Sequence, residues 1–98
     1  MIVVRDVFQL KFGKAKDAIS LMKPILEKMN SMGHGKYRLL TDLVGNYYTL
    51  VLEGTFDSME NYQASMAQPP QEPEFKEFYS KFTEFVNNGH RDMWTVVE

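Results

Sequence analysis

Residues 47–66, YYTLVLEGTFDSMENYQASM, change their hydrophobic period partway along, and that change constrains what the chain can fold into. Up to residue 56 the stretch alternates. Tyr48, Leu50, Leu52 and Phe56 share one parity and are large and apolar, while Tyr47, Thr49, Val51, Glu53 and Thr55 share the other and are semi-polar. A period of two places the two sets on opposite faces of a pleated sheet. The β-branched and aromatic content suits a half-buried strand. Gly54 interrupts the row, as at a bulge or a close helix contact. Asp57, with Glu60 three residues on, gives a capping-box pattern in which both carboxylates accept backbone N–H bonds at a helix start. Met59, Tyr62 and Met66 then repeat at helical spacing, so the chain is expected to leave a sheet and fold back over it.

The other segments supply partners for this unit. Residues 2–12 alternate as a first strand, with Ile2, Val4, Phe8, Leu10 and Phe12 on one face and Asp6 intruding among them. Val3, Arg5, Val7, Gln9 and Lys11 take the other face, and Gly13 ends the run. In residues 14–32, Ala15, Ala18, Ile19, Met22, Leu26 and Met29 form the stripe of an amphipathic helix. Pro24 lies inside it and cannot donate to the Ser20 carbonyl, so a kink, or a division into two short helices, is expected there. Gly33 and Gly35 flank His34 and close the segment.

Residues 36–44 read as a second strand, with Tyr37, Leu39, Thr41 and Leu43 on one parity. Gly45-Asn46 supplies the positive dihedrals of a tight turn into the third strand. Helices over 58–67 and 74–87 follow. The latter has a strongly aromatic stripe of Phe75, Phe78, Tyr79, Phe82, Phe85 and Val86, and Asn87-Asn88-Gly89 forms its stop. The proline-rich segment 68–73 between them is either a stiff connector or a lid over a pocket. Residues 92–97 form the last strand.

The order β-α-β-β-α-(α)-β is the split β-α-β of ferredoxin-like domains. It makes residues 1–98 one α+β domain, with a four-stranded antiparallel sheet and right-handed crossovers. The helices cover one sheet face. With the odd positions of the second strand pointing away from them, the other face carries Val3, Val7, Leu39, Leu43, Tyr47 and Val51, with Arg5, Gln9 and Glu53 among them. A monomer rarely leaves such a patch in water. A chain this short also buries only roughly 60–70 % of its unfolded surface. A second copy, sheet facing sheet about a two-fold axis, is the economical cover, so a homodimeric α/β barrel is expected.

Composition narrows the function. A formal charge of -2 and the lack of a basic run interleaved with aromatics give no electrostatic case for nucleic acid or an anionic membrane. No run of apolar residues reaches membrane-span length. The absence of cysteine removes a disulfide framework, a thiol nucleophile and a thiolate metal site. The first ten residues alternate and carry Arg5 and Asp6, which reads as a strand rather than a signal peptide. A cytoplasmic protein is the expectation.

Phe8, Leu10 and Gly13-Lys14 ahead of an amphipathic helix resemble the opening of dimeric α/β-barrel proteins, among them the NIPSNAP and antibiotic-biosynthesis-monooxygenase-like groups. The YYTLVLEGTFDSMENYQ junction is similar to their third strand and second helix. Phe12 stands where many of these proteins have a proline, and the Asn, Trp and His constellation of the haem-degrading members is not matched in position. The resemblance implies a barrel built from two sheets, with a pocket in each subunit. Some relatives oxidise or rearrange small aromatic or hydrophobic molecules without metal or cofactor, and no cofactor is expected here.

Asp6 is the sharpest candidate for chemistry, because it lies on the apolar parity of a central strand. A buried carboxylate must be paired, hydrogen-bonded or protonated. It would serve as a general base or ligand anchor. Equally, it would be a structural partner for a tyrosine hydroxyl, the Trp94 indole or an arginine, or be turned outward by a bulge. His34, between its glycines, is the second proton-transfer candidate, since an imidazole titrates near neutral pH. Its alternative is a solvated loop histidine, as for His90. The two histidines have no ligand spacing with a carboxylate, so no metal is expected. Tyr48, Trp94, Phe78 and Met22 are the candidates to hold a ligand, against the plainer reading of an aromatic core. Together these residues point to a protein that binds a small hydrophobic or aromatic molecule, with a cofactor-independent oxygenase or isomerase as its enzymatic form. The alternative is a non-enzymatic homodimeric interaction module, which would have a filled helix–sheet core.

Overall fold

The computed structural model describes residues 1–67 and 73–97. Along the chain run β1 (Ile2–Leu10), α1 (Ala15–Ser31), β2 (Lys36–Thr41), β3 (Thr49–Phe56), α2 (Met59–Ala67), α3 (Pro73–Thr83) and β4 (Val86–Thr95). The strands form one sheet in the order β2-β3-β1-β4, and every neighbouring pair is antiparallel. This is the expected ferredoxin-like α+β fold, with β1 and β3 at the centre. The molecule measures 37 × 35 × 18 Å. Its thin dimension is that of a sheet with one layer of helices, since a helix with its side chains is about 10–12 Å across.

The register decides which side chains meet the helices. β1 aligns on β3 with Val4 opposite Gly54, Asp6 opposite Leu52 and Phe8 opposite Leu50. Those residues share the helix-facing side with Leu10 and Phe56. The core forms there from Leu10 and Leu50 of the sheet, Ala18, Met22 and Ile25 of α1, and Phe82 of α3. The Phe82 ring stands edge-on to Phe8 at 4.9 Å and stacks on Phe78 at 5.2 Å. Such aromatic pairs add stabilisation beyond the area they bury.

Several boundaries differ from the sequence expectation. α1 runs unbroken through Pro24, whose ring is on the exposed side, so the two-helix alternative falls away. β1 stops at Leu10, and Phe12 is 80 % exposed, its ring edge-on to Tyr48 at 4.6 Å. β2 stops at Thr41 instead of Val44. The hairpin is consequently a longer loop, in which Gly45 and Tyr48, rather than Gly45 and Asn46, take positive φ. α2 is capped by Ser58 instead of Asp57: the Asn61 backbone N–H donates to Ser58 Oγ at 3.2 Å. α3 ends at Thr83, and Asn87-Asn88-Gly89 lies inside β4 instead of stopping a helix. The edge strand can therefore pair along the whole of β1, with one bulge between Gln9 and Leu10. Gly54 marks no bulge. A Cβ there would lie 2.9 Å from the Tyr37 ring, so its lack of side chain admits that ring.

The face away from the helices is also corrected. Leu39 pairs with Leu52 and packs against the core, so Arg38 and Leu40, not Leu39, point outward. Leu43 and Tyr47 leave the sheet in the hairpin loop and are exposed. The outer face carries Val3, Val7, Leu40 and Val51, and the register with β4 adds Trp94 beside Val3. Among these lies Glu53, 4 % exposed, with Oε2 accepting from Arg5 Nε at 2.8 Å and Oε1 from Arg38 Nε at 2.7 Å. No described helix covers this face.

The Arg5 hydrogen bond holds the Glu53 carboxyl below its ordinary value of 4.5, against burial, which pushes it up, and with Arg38 adding to the depression. A carboxyl depressed by folding stabilises the fold above its unfolded pKa, and the contribution disappears as pH falls through the folded pKa. Glu53→Gln is expected to lower stability by about 1–2 kcal/mol at neutral pH. In urea denaturation at a series of pH values, the gap to wild type should close as pH drops below about 4.5.

Candidate functional site: a cavity between helices and sheet

The helix layer does not fill the space above the sheet. Between α1, α3 and the strands lies a cavity of about 690 Å³. Phe8 and Leu52 form its floor, Met22, Ile25 and Met29 of α1 one wall, and Phe75, Phe78 and Phe82 of α3 the other. Small-molecule sites are typically concave, largely apolar and roughly 300–1,000 Å³ in volume. β4 supplies the edge of the floor through Gly89 and Arg91. Gly89 sits opposite Phe8 in the ladder, and a Cβ there would lie 3.0 Å from the Val7 carbonyl and 3.3 Å from the Phe8 ring. A side chain at 89 would thus press on the ring that makes the floor.

A second hollow, of about 110 Å³, adjoins the first and shares Met29, Leu52 and Arg91 with it. It is the polar end. Asp6, Tyr37, Tyr62 and Ser65 line it together with Arg91. Arg91 stands directly across from Asp6 in the ladder. Its Nε donates to Asp6 Oδ1 at 2.5 Å, Nη2 to Oδ2 at 3.5 Å, and Nη1 to the Tyr62 hydroxyl at 3.1 Å. The hydrogen bond to Asp6 raises the Arg91 guanidinium above its ordinary value, so it stays charged at any physiological pH. Tyr37 is raised as well, chiefly by burial, with Tyr62 and Asp6 adding and the Ser65 hydrogen bond opposing.

Neither a protein-family model nor a curated protein matches the sequence. Solved structures do. An uncharacterised NIPSNAP domain protein from Burkholderia xenovorans superposes with a TM-score of 0.83 at 12 % identity, covering 99 % of this chain and 95 % of that one. A NIPSNAP family protein from Agrobacterium tumefaciens gives 0.83 at 9 % identity, over 99 % and 93 %. An antibiotic biosynthesis monooxygenase gives 0.75 at 14 % identity, over the full length of both chains. The chain has the NIPSNAP and antibiotic-biosynthesis-monooxygenase fold. At such identities the likeness is one of fold.

On this NIPSNAP-like frame the candidates separate. Met22 and Phe78 line the large cavity, and Asp6 lines the small one. Tyr48 packs at the hairpin end of the core, outside both hollows. Trp94 is on the outer sheet face, 55 % exposed, because it pairs with Val3. His34 lines a separate hollow with Asp57 and Asn61 at the junction of α1 and β2. His90 lies within β4, opposite Val7, and its Nε2 is 3.3 Å from Asp92 Oδ2. The lid reading of the proline-rich segment falls on residues 68–72, outside the described residues.

Arg91 and Tyr62 are the site residues that sequence reasoning missed. A last strand that starts at Asp92 puts Arg91 outside it, whereas β4 begins at Val86. Extending the strand back by parity from Met93 would have placed Arg91 and Gly89 on the helix side, across from Asp6 and Phe8. The helical spacing of Tyr62 explains its ring in α2 but gives no sign that its hydroxyl meets Arg91.

Burial of Tyr37 at the polar end has a direct spectroscopic sign. On alkaline titration by ultraviolet difference absorbance, Tyr37 is expected to ionise above the ordinary 10.0, and Tyr37→Phe should remove that late step.

Proposed function

We propose that the protein binds a small, mostly hydrophobic or aromatic molecule in the helix–sheet cavity and does so as a homodimer. The observation that carries the reading is the cavity itself. An interaction module would be expected to close its helix–sheet core, because empty apolar volume costs stability. Here roughly 690 Å³ is left open and walled by Phe, Met, Ile and Leu side chains. Asp6 already gives both carboxylate oxygens to Arg91, which favours an anchoring over a proton-abstracting role. Binding, rather than cofactor-independent oxygenation or isomerisation, is therefore the function put forward. The fold shared with an antibiotic biosynthesis monooxygenase is compatible with a small-molecule site and names no reaction for this chain.

The dimer reading rests on the outer sheet face. Val3, Val7, Leu40, Val51 and the exposed Trp94 form an apolar surface around the Glu53 ion-pair cluster, and no described helix covers it. A second sheet, related by a two-fold axis, would bury it.

Native mass spectrometry of gently purified protein tests both halves together. The expected result is a dimer carrying a discrete additional mass. A monomer would remove the dimer. A dimer that is empty and also fails to take up an apolar fluorescent dye would remove the ligand. Val7→Glu is expected to give a monomer, since a buried unpaired carboxylate costs several kcal/mol. The emission of Trp94, the sole tryptophan, should shift to longer wavelength in the same variant as its ring returns to water.

A further inference from the structure

Arg91 is the only charged side chain lining the large cavity among the described residues. Its counter-ion does not share that position: Asp6 borders the small hollow and not the large one. Arg91 therefore stands at the boundary of the two hollows, with its partners Asp6 and Tyr62 on the side of the small one. We propose that Arg91 is the head-group receptor of the cavity, and that the ligand is an apolar, aromatic or aliphatic body carrying one carboxylate. This rests on the binding function proposed above and specifies its ligand class.

Donor accounting supports the assignment. A guanidinium carries five N–H groups in a rigid planar fork. One on Nε and one on Nη2 go to Asp6, and one on Nη1 goes to Tyr62. Each Nη keeps one further N–H for which the structure shows no acceptor among the described residues, and the side chain remains 45 % exposed. Two N–H groups on adjacent nitrogens match the two oxygens of a carboxylate, and such paired, charge-assisted bonds are among the stronger polar contacts in proteins. Asp6 and Tyr62 fix the plane of the fork, so little of its freedom remains to be lost when a ligand docks. The rest of the large cavity offers no second charge to an anion among the described residues. Its other polar liners, Tyr79, Thr83 and Asn88, are uncharged, and its remaining walls are apolar. A ligand with a charge at one end and hydrocarbon at the other satisfies both parts of the site. A zwitterion or a dianion would leave a charge against phenylalanine and methionine, where desolvation is costly.

The test uses a matched pair of probes against the whole protein. N-phenyl-1-naphthylamine, an uncharged dye that brightens in apolar surroundings, reports occupancy. 2-Naphthoate and 2-naphthalenemethanol, which share a ring system and differ in the head group, compete for it at neutral pH. Naphthoate is expected to displace the dye at a concentration about tenfold lower than the alcohol, as one charge-assisted pair would give. In Arg91→Gln the preference should fall to within about twofold, because naphthoate loses affinity while the alcohol has no charge to lose. Arg91→Lys keeps the charge without the fork and should retain a preference of about threefold. It also supplies the answer if the glutamine variant does not fold, as judged by circular dichroism. Equal competition in the wild type, or a preference that survives in both variants, would overturn the assignment. Failure of the dye itself to bind has a different meaning, since it removes the cavity function on which the assignment stands.

Discussion

The antiparallel register of β1 against β3 is the constraint on which everything else depends. It assigns each side chain of the two central strands to a face, and a slip of one residue would exchange the faces. In the register that forms, Asp6 lies under the helices and Glu53 lies on the open side, one step apart in the ladder. Both are carboxylates in half-buried or buried positions, and each is answered by arginine: Asp6 by Arg91, Glu53 by Arg5 and Arg38. A slip of one residue would put Asp6 and Glu53 on the same face, either carrying Glu53 into the hydrophobic layer or turning Asp6 out of it. One buried and one partly buried carboxylate thus specify pairing as well as decorate it, because a charge withdrawn from water without a partner costs far more than a paired one returns.

The same register divides the helix side into a closed half and an open one. Toward the end of β1 the core is sealed by Leu10, Ala18, Met22 and Leu50, all nearly devoid of exposure. Farther along, the space between α1 and α3 widens over Phe8 and Leu52, and the phenylalanines of α3 line it instead of filling it. The sealed half supplies the stability that lets the open half remain a cavity, so rigidity and reception are carried by neighbouring turns of the same helices. Met22 belongs to both, being buried in the core and present on the cavity wall.

Most of the fold was legible because it is written in periods. The alternation of β1 and β3, the stripe of α1 and the aromatic spacing of α3 each report which side is buried, and the resulting ferredoxin-like order matches the observed sheet. Errors arose where short-range signals compete with pairing. Asn87-Asn88-Gly89 carries the composition of a helix stop, yet the free edge of β1 recruits it into β4. Leu43 and Val44 continue the alternation of β2, yet they lie 97 % and 94 % exposed because the ladder with β3 ends at Thr41 and Thr49 lies two residues past Tyr47. Of the site, the unusual carboxylate on an apolar face was visible and its partner was not. Arg91 lies 85 residues away, and only the sheet order reveals that they are neighbours.

That separation has a consequence for how the protein comes into being. β1 and β4 are drawn from opposite ends of the sequence, and their pairing forms one edge of the sheet. Contacts of such long range pay their loop-closure entropy before any reward, and they slow folding relative to local ones. A chain emerging from the ribosome can assemble α1 on the β2–β3 hairpin early. It has neither the Arg91 fork nor the Gly89 floor until β4 is released and docked on β1. Asp6 waits through that interval without its counter-ion, exposed to water. The receptive cavity accordingly exists only once β4 has docked on β1, and whatever enters it stabilises only chains in which that pairing has formed.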